Sequence, residues 1–355
     1  MCPVVRANRF DGRAWQVVEV DFDVSSLRVE ADGRDSSLPT LCPGLVDIHC
    51  HGVAGFDVNE RRGADVIREL RERGVEWVCP TTVTASWEEL RQAIRSVPPD
   101  CPGFAGFHLE GPYLNPVRKG AQRSELMRLP DAEELHGELG EMLDSVRIVT
   151  LAPELPGAEA VIRYLYHRGI LVSAGHTDAT AAVLEAACRA GLRHLTHFYN
   201  AMRPFHHREP GCVGFGWAST VICELIYDRV HVSRSAADVL FRLKRPEEVI
   251  AVSDGTKLSG LRSGTEETLW GAKARVERGA ARREDGSLCG SAVTLVDVFR
   301  NLWQDFEDGP ERAIRACSLN PRRALGLPAP SLWLLVGKDG EVLEVRTGML
   351  HEPAV

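Results

Sequence analysis

The sequence predicts an α/β protein whose main part is a (β/α)8 barrel with a small β domain beside it. Eight short apolar runs lie within residues 44–255, and most of them are separated by amphipathic stretches with helical spacing. Eight is also the number of parallel strands that closes such a barrel. Both chain ends show the alternation of polar and apolar residues that is typical of antiparallel strands.

The eight runs are rich in β-branched and apolar residues, as expected of strands that are buried on both faces. In chain order they are 44–52, 75–84, 104–112, 146–154, 170–177, 194–202, 221–232 and 248–255. An open doubly wound sheet is the main structural alternative. No GxGxxG follows the first run, which weakens a dinucleotide-binding version of that alternative.

Three segments between the runs predict helices, because each combines helical spacing with a start or stop signal: 63–73, 86–96 and 178–190. The second opens with Ser86 and carries Glu89 three residues later, which is the pattern of a capping box. The third is expected to begin at Asp178.

The chain is expected to divide into a small β domain and a barrel, with residues 1–42 and 328–355 in the first and residues 43–327 in the second. Residues 331–346 predict a hairpin that turns at Lys338-Asp339-Gly340. Residues 269–289 predict another hairpin, with Asp285-Gly286 at its turn.

Composition excludes several classes of function. The 42 basic and 50 acidic residues give a formal charge of −8, which argues against nucleic acid or an anionic membrane as the main partner. No apolar run approaches the roughly 20 residues of a membrane-spanning helix. The first residues contain no basic segment followed by an apolar one, so a cytoplasmic location is expected. The ten cysteines form no CxxC pair and are interpreted as reduced thiols.

Candidate metal ligands stand at the ends of the predicted strands. His49 and His51 flank Cys50, so both imidazoles face the same side of the first strand. Further nitrogen and oxygen donors end the third, fifth, sixth and eighth runs: Glu110, His176, His197 and Asp254. These ends meet at one face of a barrel, and such a donor set suits Zn²⁺ or another divalent transition metal.

Two other histidines, His108 and His194, lie close in sequence to the predicted ligands. His108 shares the inward face with Glu110 and is either a further ligand or a hydrogen-bond partner of one. His194 has the opposite parity to His197 and is not expected to be a ligand.

Six ordered segments spanning about residues 43–325 resemble the N-acetylglucosamine-6-phosphate deacetylase family of the amidohydrolase superfamily: PGLVDIHCHG, GFHLEGPYLNPVRKGA, SAGHTDAT, THFYNAM, REPG and LCGSAVTL. The resemblance implies a metal-dependent (β/α)8 TIM-like barrel with a small β-sandwich formed from both termini. It also implies hydrolysis of N-acetylglucosamine 6-phosphate to glucosamine 6-phosphate and acetate.

The resemblance assigns roles to individual residues. Glu110, His176 and His197 match the metal ligands that are common to the family. His49 and His51 match a pair that only some members have, which implies one or two divalent ions per subunit. Zn²⁺ is the first choice, with Fe²⁺, Co²⁺ or Mn²⁺ as alternatives. Asp254 matches the catalytic aspartate, which would take a proton from water and pass it to the departing amine.

Substrate contacts are implied in the same way. Arg208 and His231 match sugar-phosphate contacts, and part of that site comes from a neighbouring subunit, which implies a homodimer. Asn200 and Ala201 match a segment whose backbone lines the sugar-phosphate pocket. A loop that closes over the substrate is matched by Leu288, Cys289 and Gly290.

The chain departs from the family pattern in three places. Gln122 stands where the family usually has a His that polarises the acetyl carbonyl, and an amide can donate an N–H but carries no charge. The segment 255–271 lacks the usual small-residue run and turn, and the terminal β domain is short. The first two departures leave open the galactosamine isomer or another amide as substrate.

Two other functions remain alternatives, and the second of them belongs to a different class. A cyclic amidase or deaminase of the same superfamily is disfavoured, because VRIVTLAPE in the fourth run contains no lysine to bridge two metals. A non-catalytic sugar-phosphate-binding relative would be favoured by loss of a ligand or of Asp254, and both are retained.

Overall fold

The computed structural model describes residues 4–351, and eight parallel strands form its central barrel. The first to the eighth barrel strand are, in order, Leu45–Cys50, Val75–Thr82, Phe107–Glu110, Val146–Leu151, Leu171–Ala174, His194–Leu195, Ile222–Ile226 and Val249–Val252. Each strand pairs with its neighbour in the chain. The Asp254 N–H donates to the His49 carbonyl (2.9 Å) and the His51 N–H to the Gly255 carbonyl (2.8 Å), which joins the eighth strand to the first. The predicted (β/α)8 fold is confirmed.

The α-helices lie outside the barrel or at its ends: Gly63–Glu72, Trp87–Arg95, Ala132–Leu139, Ala158–His167, Ala181–Ala190, Gly211–Ala218, Arg234–Leu243, Leu295–Asp305, Gly309–Ile314 and Asn320–Ala324. Short 3₁₀ turns occupy Pro116–Arg118, Ser124–Leu126, Gly140–Ser145 and Pro246–Glu248, and a π turn occupies Arg315–Leu319. The predicted capping box at Ser86 and Glu89 is present.

The predicted start of the fifth of these helices is wrong. The helix begins at Ala181, and the Thr180 hydroxyl caps it by accepting the Val183 N–H. Asp178 lies outside the helix, because its carboxylate pairs with the guanidinium groups of Arg118 and Arg203 instead.

The barrel strands contribute to two clusters of buried apolar side chains. One cluster of buried side chains comes largely from the strands themselves: Val46, Ile48, Cys79, Ala105, Ile148, Ile226, Ile250 and Val252. A second cluster joins the outward strand faces to the apolar sides of helices, for example Val66, Ile67 and Leu70 of the first helix. Among residues 4–351 the nine cysteines are free thiols, and Cys2 lies outside the described residues.

The two chain ends meet in one six-stranded sheet, which consists of Val4–Phe10, Trp15–Asp21, Ser26–Asp32, Thr40–Pro43, Leu332–Val336 and Val342–Thr347. The fourth of these strands pairs with the first in parallel and with Leu332–Val336 in antiparallel. The predicted hairpin at the carboxyl end is present, with its turn at residues 338–340.

A further four-stranded sheet is inserted between the eighth barrel strand and the following helix, and it is called the inserted sheet below: Glu266–Leu269, Ala272–Glu277, Ala280–Arg283 and Leu288–Ser291. The single hairpin predicted over 269–289 is therefore wrong in strand number. The chain also reverses at Trp270-Gly271 and Arg278-Gly279, where all four residues have positive φ. Asp285-Gly286 lies at the last turn, as predicted.

A two-stranded hairpin of Gly52–Val53 and Phe56–Asp57 follows the first barrel strand. It lies beside the inserted sheet, because the Trp270 indole N–H donates to the Asp57 carboxylate. Within residues 4–351, no helix combines the length and the hydropathy that crossing a membrane requires.

Candidate active site

Six predicted ligands and catalytic groups lie together at the carboxyl ends of the barrel strands. Glu110 is the last residue of the third strand, and His49 and His51 end the first. The other three each come two residues after a strand and have positive φ: His176 (47°), His197 (32°) and Asp254 (46°). Left-handed backbone is costly for residues with a Cβ, so these turns are strained where they deliver their side chains.

The first group of donors is the Glu110 triad, which consists of Glu110, His176 and His197. Glu110 Oε1 lies 3.1 Å from His176 Nε2 and 3.0 Å from His197 Nε2. The two imidazole nitrogens are themselves 3.1 Å apart. All three side chains are buried, so water screens their charges weakly.

The second group is the Asp254 triad, which consists of His49, His51 and Asp254. Asp254 Oδ1 lies 3.3 Å from His49 Nε2 and 3.2 Å from His51 Nε2, and the two nitrogens are 3.2 Å apart. Glu110 lies between the triads, with Oε1 3.6 Å from His49 Nε2 and Oε2 3.5 Å from His51 Nε2.

Hydrogen bonds on the far ring nitrogens orient three of the four imidazoles. His49 Nδ1 is 2.9 Å from Glu224 Oε2, His51 Nδ1 is 3.1 Å from the Thr81 carbonyl, and His176 Nδ1 is 2.8 Å from the Arg118 carbonyl. An imidazole that donates from Nδ1 keeps a lone pair on Nε2 when it is neutral. The Nε2 atoms that meet in the cluster are therefore prepared as ligands.

The electrostatics of the cluster favour positive charge. Burial raises the pKa of Asp254, but the hydrogen bond from His51 and the charge of His49 outweigh it and lower the pKa to about 2. Burial also opposes charge on His49, yet the Glu224 carboxylate raises its pKa to about 10. Three buried carboxylates, those of Glu110, Glu224 and Asp254, thus demand compensating cations or protons.

The donor set fits a divalent metal. Nitrogen lone pairs and carboxylate oxygens from different strands approach one another at 3.0–3.6 Å, where they repel unless a proton or a cation lies between them. Both triads are groups whose donor atoms could hold an ion together.

His108 and His194 lie beneath these ligands. Both nitrogens of His108 are engaged, Nδ1 with the Ile48 carbonyl (3.0 Å) and Nε2 with the Thr150 hydroxyl (2.7 Å). Neither of these two partners is a predicted ligand, so His108 supports the barrel interior instead of orienting a ligand through them. His194 is buried with its Nδ1 3.6 Å from Glu224 Oε1, and it belongs to neither triad.

A cavity opens above the two triads. Six of the predicted substrate-binding residues line it: Gln122, Asn200, Ala201, His231, Leu288 and Gly290. Trp270, Gly120 and Ala121 line it as well, although no role was predicted for them. Arg208 lies on an exposed loop outside the cavity, beside His207 (3.0 Å). The buried Cys289 thiol faces the Ala281 carbonyl of the inserted sheet rather than the cavity.

Gln122 is held in one orientation above Glu110. Its Oε1 accepts the Thr84 N–H (2.7 Å), and its amide group donates to Glu110 Oε2. The Thr84 contact fixes which end of the amide faces the cavity, so Gln122 presents N–H groups to the ligand cluster. His231 is held similarly, since its Nδ1 lies 2.6 Å from Asp228 Oδ2.

Glu224 and Trp270, like Gly120 and Ala121, were not predicted from the sequence. Glu224 in the seventh strand binds both His49 and the His197 N–H (3.0 Å), and so connects the two triads. The Glu224 carboxylate in the middle of the apolar segment VICELIY was the signal that could have revealed it, because buried charges are paired. Trp270 offered no comparable signal.

Comparison with known proteins identifies the family to which the chain belongs. The model of the amidohydrolase family matches residues 40–340. This chain belongs to the amidohydrolase family. An N-acetylgalactosamine-6-phosphate deacetylase of Escherichia coli O157:H7 is 34% identical over 92% of this chain and 88% of its own length. An N-acetylglucosamine-6-phosphate deacetylase of Bacillus subtilis (strain 168) is 34% identical over 86% of this chain and 81% of its own length.

Solved structures agree with this placement of the amidohydrolase chain. A variant of the N-acetyl-D-glucosamine-6-phosphate deacetylase from Mycobacterium smegmatis, in complex with N-acetyl-D-glucosamine-6-phosphate, superimposes with a TM-score of 0.87 at 30% identity. The match covers 98% of this chain and 99% of that one. Within the amidohydrolases the chain thus belongs to the N-acetylglucosamine-6-phosphate deacetylase family and is a hydrolase, as the sequence motifs predicted.

Proposed function

We propose that this amidohydrolase removes the N-acetyl group from N-acetylglucosamine 6-phosphate, giving glucosamine 6-phosphate and acetate. The observation that carries the proposal is the position of Asp254 on the wall of a cavity that is also lined by the Glu110 triad and by His51. Relatives that share about a third of their residues with this chain carry the names of deacetylases for amino-sugar phosphates.

The proposed metal complement is one or two divalent ions per subunit, Zn²⁺ before Fe²⁺, Co²⁺ or Mn²⁺. Glu110, His176 and His197 would hold the first ion, and His49 and His51 would help to hold a second. Such an ion, when bound, supplies Lewis acidity and lowers the pKa of water. Nitrogen and carboxylate donors of this mixture suit borderline metals.

The residues of the chain would then handle protons and charge. Asp254 lies on the cavity wall and is ionised, so it would accept the proton of the attacking water at Oδ1 or Oδ2 and deliver it to the leaving nitrogen. The amide of Gln122 donates an N–H to the oxygen of the acetyl carbonyl as negative charge develops there. Protonation matters because an amine is a far better leaving group than an amide anion.

The sugar phosphate would lie across the cavity toward the sixth and seventh strands. Asn200, Ala201 and His231 line that side, and Leu288 and Gly290 line it from the inserted sheet. Arg208 lies on an exposed loop, so its proposed phosphate contact requires the neighbouring copy of a homodimer. Cys289 would therefore contribute its backbone, and not its thiol, to the loop that closes over the substrate, because the thiol faces away from the cavity.

The galactosamine isomer is the second candidate substrate. The observation that favours it is the N-acetylgalactosamine-6-phosphate deacetylase among the relatives at 34% identity. The two sugars differ in the orientation of one hydroxyl, and such a difference changes hydrogen bonds but not the chemistry at the acetyl group.

Acetate release by the purified, metal-analysed protein tests these proposals. The substrates are N-acetylglucosamine 6-phosphate, its galactosamine isomer and unphosphorylated N-acetylglucosamine. We expect turnover of a phosphorylated sugar and little turnover of the free sugar. Metal-loaded protein that releases acetate from none of them would refute the deacetylase assignment and direct attention to another amide.

Metal analysis and mass measurement test the remaining parts. We expect up to two equivalents of metal in the wild type and no more than one in His51→Gln, since His51 belongs to the Asp254 triad alone. Light scattering that gives twice the 39.1 kDa chain mass supports the homodimer. The cytoplasmic location stays a prediction.

A further inference from the structure

Trp270 occupies a backbone conformation that an aromatic residue rarely adopts. Leu269 and Ala272 pair across an antiparallel ladder, so Trp270 and Gly271 alone form the turn between two strands of the inserted sheet. Their φ angles are 50° and 89°. Two-residue turns with two positive φ angles favour Asn-Gly or Gly-Gly, and a bulky first residue is strained. Strain of this kind is a reason to look for a function of the side chain.

The indole of Trp270 is held against the ligand cluster. Its ring meets the His51 ring edge to face, with centroids 5.2 Å apart. Its N–H donates to Oδ2 of Asp57 (3.2 Å), a residue with 1% exposure. The other oxygen of Asp57 accepts the N–H groups of Asn59 and Glu60, so the anchor itself is fixed.

The walls of the cavity differ in polarity. Asn200 and His231 provide polar groups on one side, as sugar hydroxyls and a phosphate require. Trp270 and Ala121 provide apolar surface on another side, and both pack against the buried apolar cluster of the inserted sheet. Trp270 is the largest apolar side chain that lines the cavity.

We propose that the Trp270 indole forms the wall against which the methyl of the acyl group packs, and that it limits the length of the acyl chain that this enzyme removes. This inference rests on the proposed deacetylase function. The acyl carbon must lie between Asp254 and the metal ligands, and the methyl group seeks apolar surface next to them. The ring beside His51 supplies that surface at the place where a longer chain would collide with it.

Two acyl substrates test the role of Trp270. N-acetyl- and N-butyrylglucosamine 6-phosphate are compared by kcat/KM in the wild type, in Trp270→Ala and in Trp270→Phe, each with its metal content measured. In Trp270→Ala we expect the butyryl-to-acetyl ratio of kcat/KM to rise at least about 10-fold, because a removed ring leaves room for two methylenes. Trp270→Phe keeps a ring and is expected to keep the preference for acetyl.

The outcomes separate this inference from the proposed function. If the wild type hydrolyses the acetyl substrate while the ratio in metal-loaded Trp270→Ala changes by less than about two-fold, the acyl-wall role is wrong and the deacetylase function stands. If the metal-loaded wild type hydrolyses neither substrate, the proposed activity on N-acetylglucosamine 6-phosphate is wrong. Calorimetric binding of butyrate relative to acetate then decides the role of Trp270, with tighter relative binding of butyrate expected in Trp270→Ala. Trp270→Leu replaces the alanine variant in every arm if that variant does not fold.

Discussion

The cavity has two walls that are built in different ways. The metal-ligand wall consists of side chains at the ends of barrel strands, where neighbouring backbones are paired on both sides and the side chains are buried. The inserted-sheet wall consists of Trp270, Leu288 and Gly290, which lie on turns and edges of a four-stranded sheet.

The difference indicates a division of labour within the site. Chemistry that depends on distances of about 3 Å is placed at or just beyond the ends of the paired barrel strands, which are regular elements that fix the positions of side chains. Contacts that select the substrate are placed on a segment that can change without disturbing the barrel. The residues of each wall should therefore affect different measurements.

Replacement of Asp254 should have the largest effect on turnover. Asp254→Asn removes the proton acceptor, and we expect kcat to fall by about 10²–10⁴-fold. The Glu110 triad does not include Asp254, so at least one equivalent of metal should remain. Asp305→Asn, which alters a carboxylate paired with Arg229 outside the cavity, is the control for kcat. Full activity in Asp254→Asn would show that another group is the base.

Gln122 should affect catalysis through the N–H groups that it presents to the cavity. We expect Gln122→Ala to lower kcat by about 10²-fold, because the acetyl oxygen loses a hydrogen-bond donor in a buried site. Gln122→His, which again offers an N–H, should restore most of the activity. Gln92→Ala on the exposed face of a helix is the matched control. A normal kcat in Gln122→Ala would assign oxyanion stabilisation to other groups.

Glu224 should affect metal affinity more than substrate affinity. Glu224→Gln replaces the carboxylate behind His49 by a weaker acceptor, and we expect the affinity for metal to fall by about 10- to 100-fold in chelator competition. The control is Glu248→Gln, which alters a buried carboxylate beside Lys244. Equal metal affinities in the two variants would contradict the connecting role of Glu224.

Asp57 should have the smallest effect, and only on the inserted-sheet wall. Asp57→Ala removes the acceptor of the Trp270 N–H, a hydrogen bond worth about 1 kcal/mol, so the butyryl-to-acetyl ratio of kcat/KM should rise by about five-fold. Asp285→Ala changes another turn of the same sheet and should leave the ratio unchanged. A ratio that responds equally to both variants would mean that general loosening of the sheet is responsible.

The metal-ligand wall could be predicted from the sequence because strand periodicity is local. His49 and His51 alternate within one run, and the other donors end runs whose carboxyl ends must meet in a barrel. The orientation of those donors could not be predicted. The Glu224 carboxylate that orients His49 is 175 residues away, and nothing in the local pattern pairs them.

Contacts that the local pattern does not reveal also explain two wrong predictions, the helix start at Asp178 and the single hairpin in the inserted sheet. Asp178 has the side chain of a helix cap, but Arg118 and Arg203 compete for it and Thr180 caps the helix instead. The inserted sheet was predicted as one hairpin, because Trp-Gly is not a usual turn sequence. The conformation of Trp270 is determined by contacts with Asp57 and His51 rather than by its own preference.

The sequence by itself determined the barrel, the donors at its strand ends and the deacetylase resemblance, since apolar periodicity and short motifs encode information within a few residues. The tertiary structure decided which donors form each triad, that Glu224 joins them and that Trp270 closes the apolar side of the cavity. These features depend on contacts between distant parts of the chain, where packing and buried charge, rather than local preference, set the free energy.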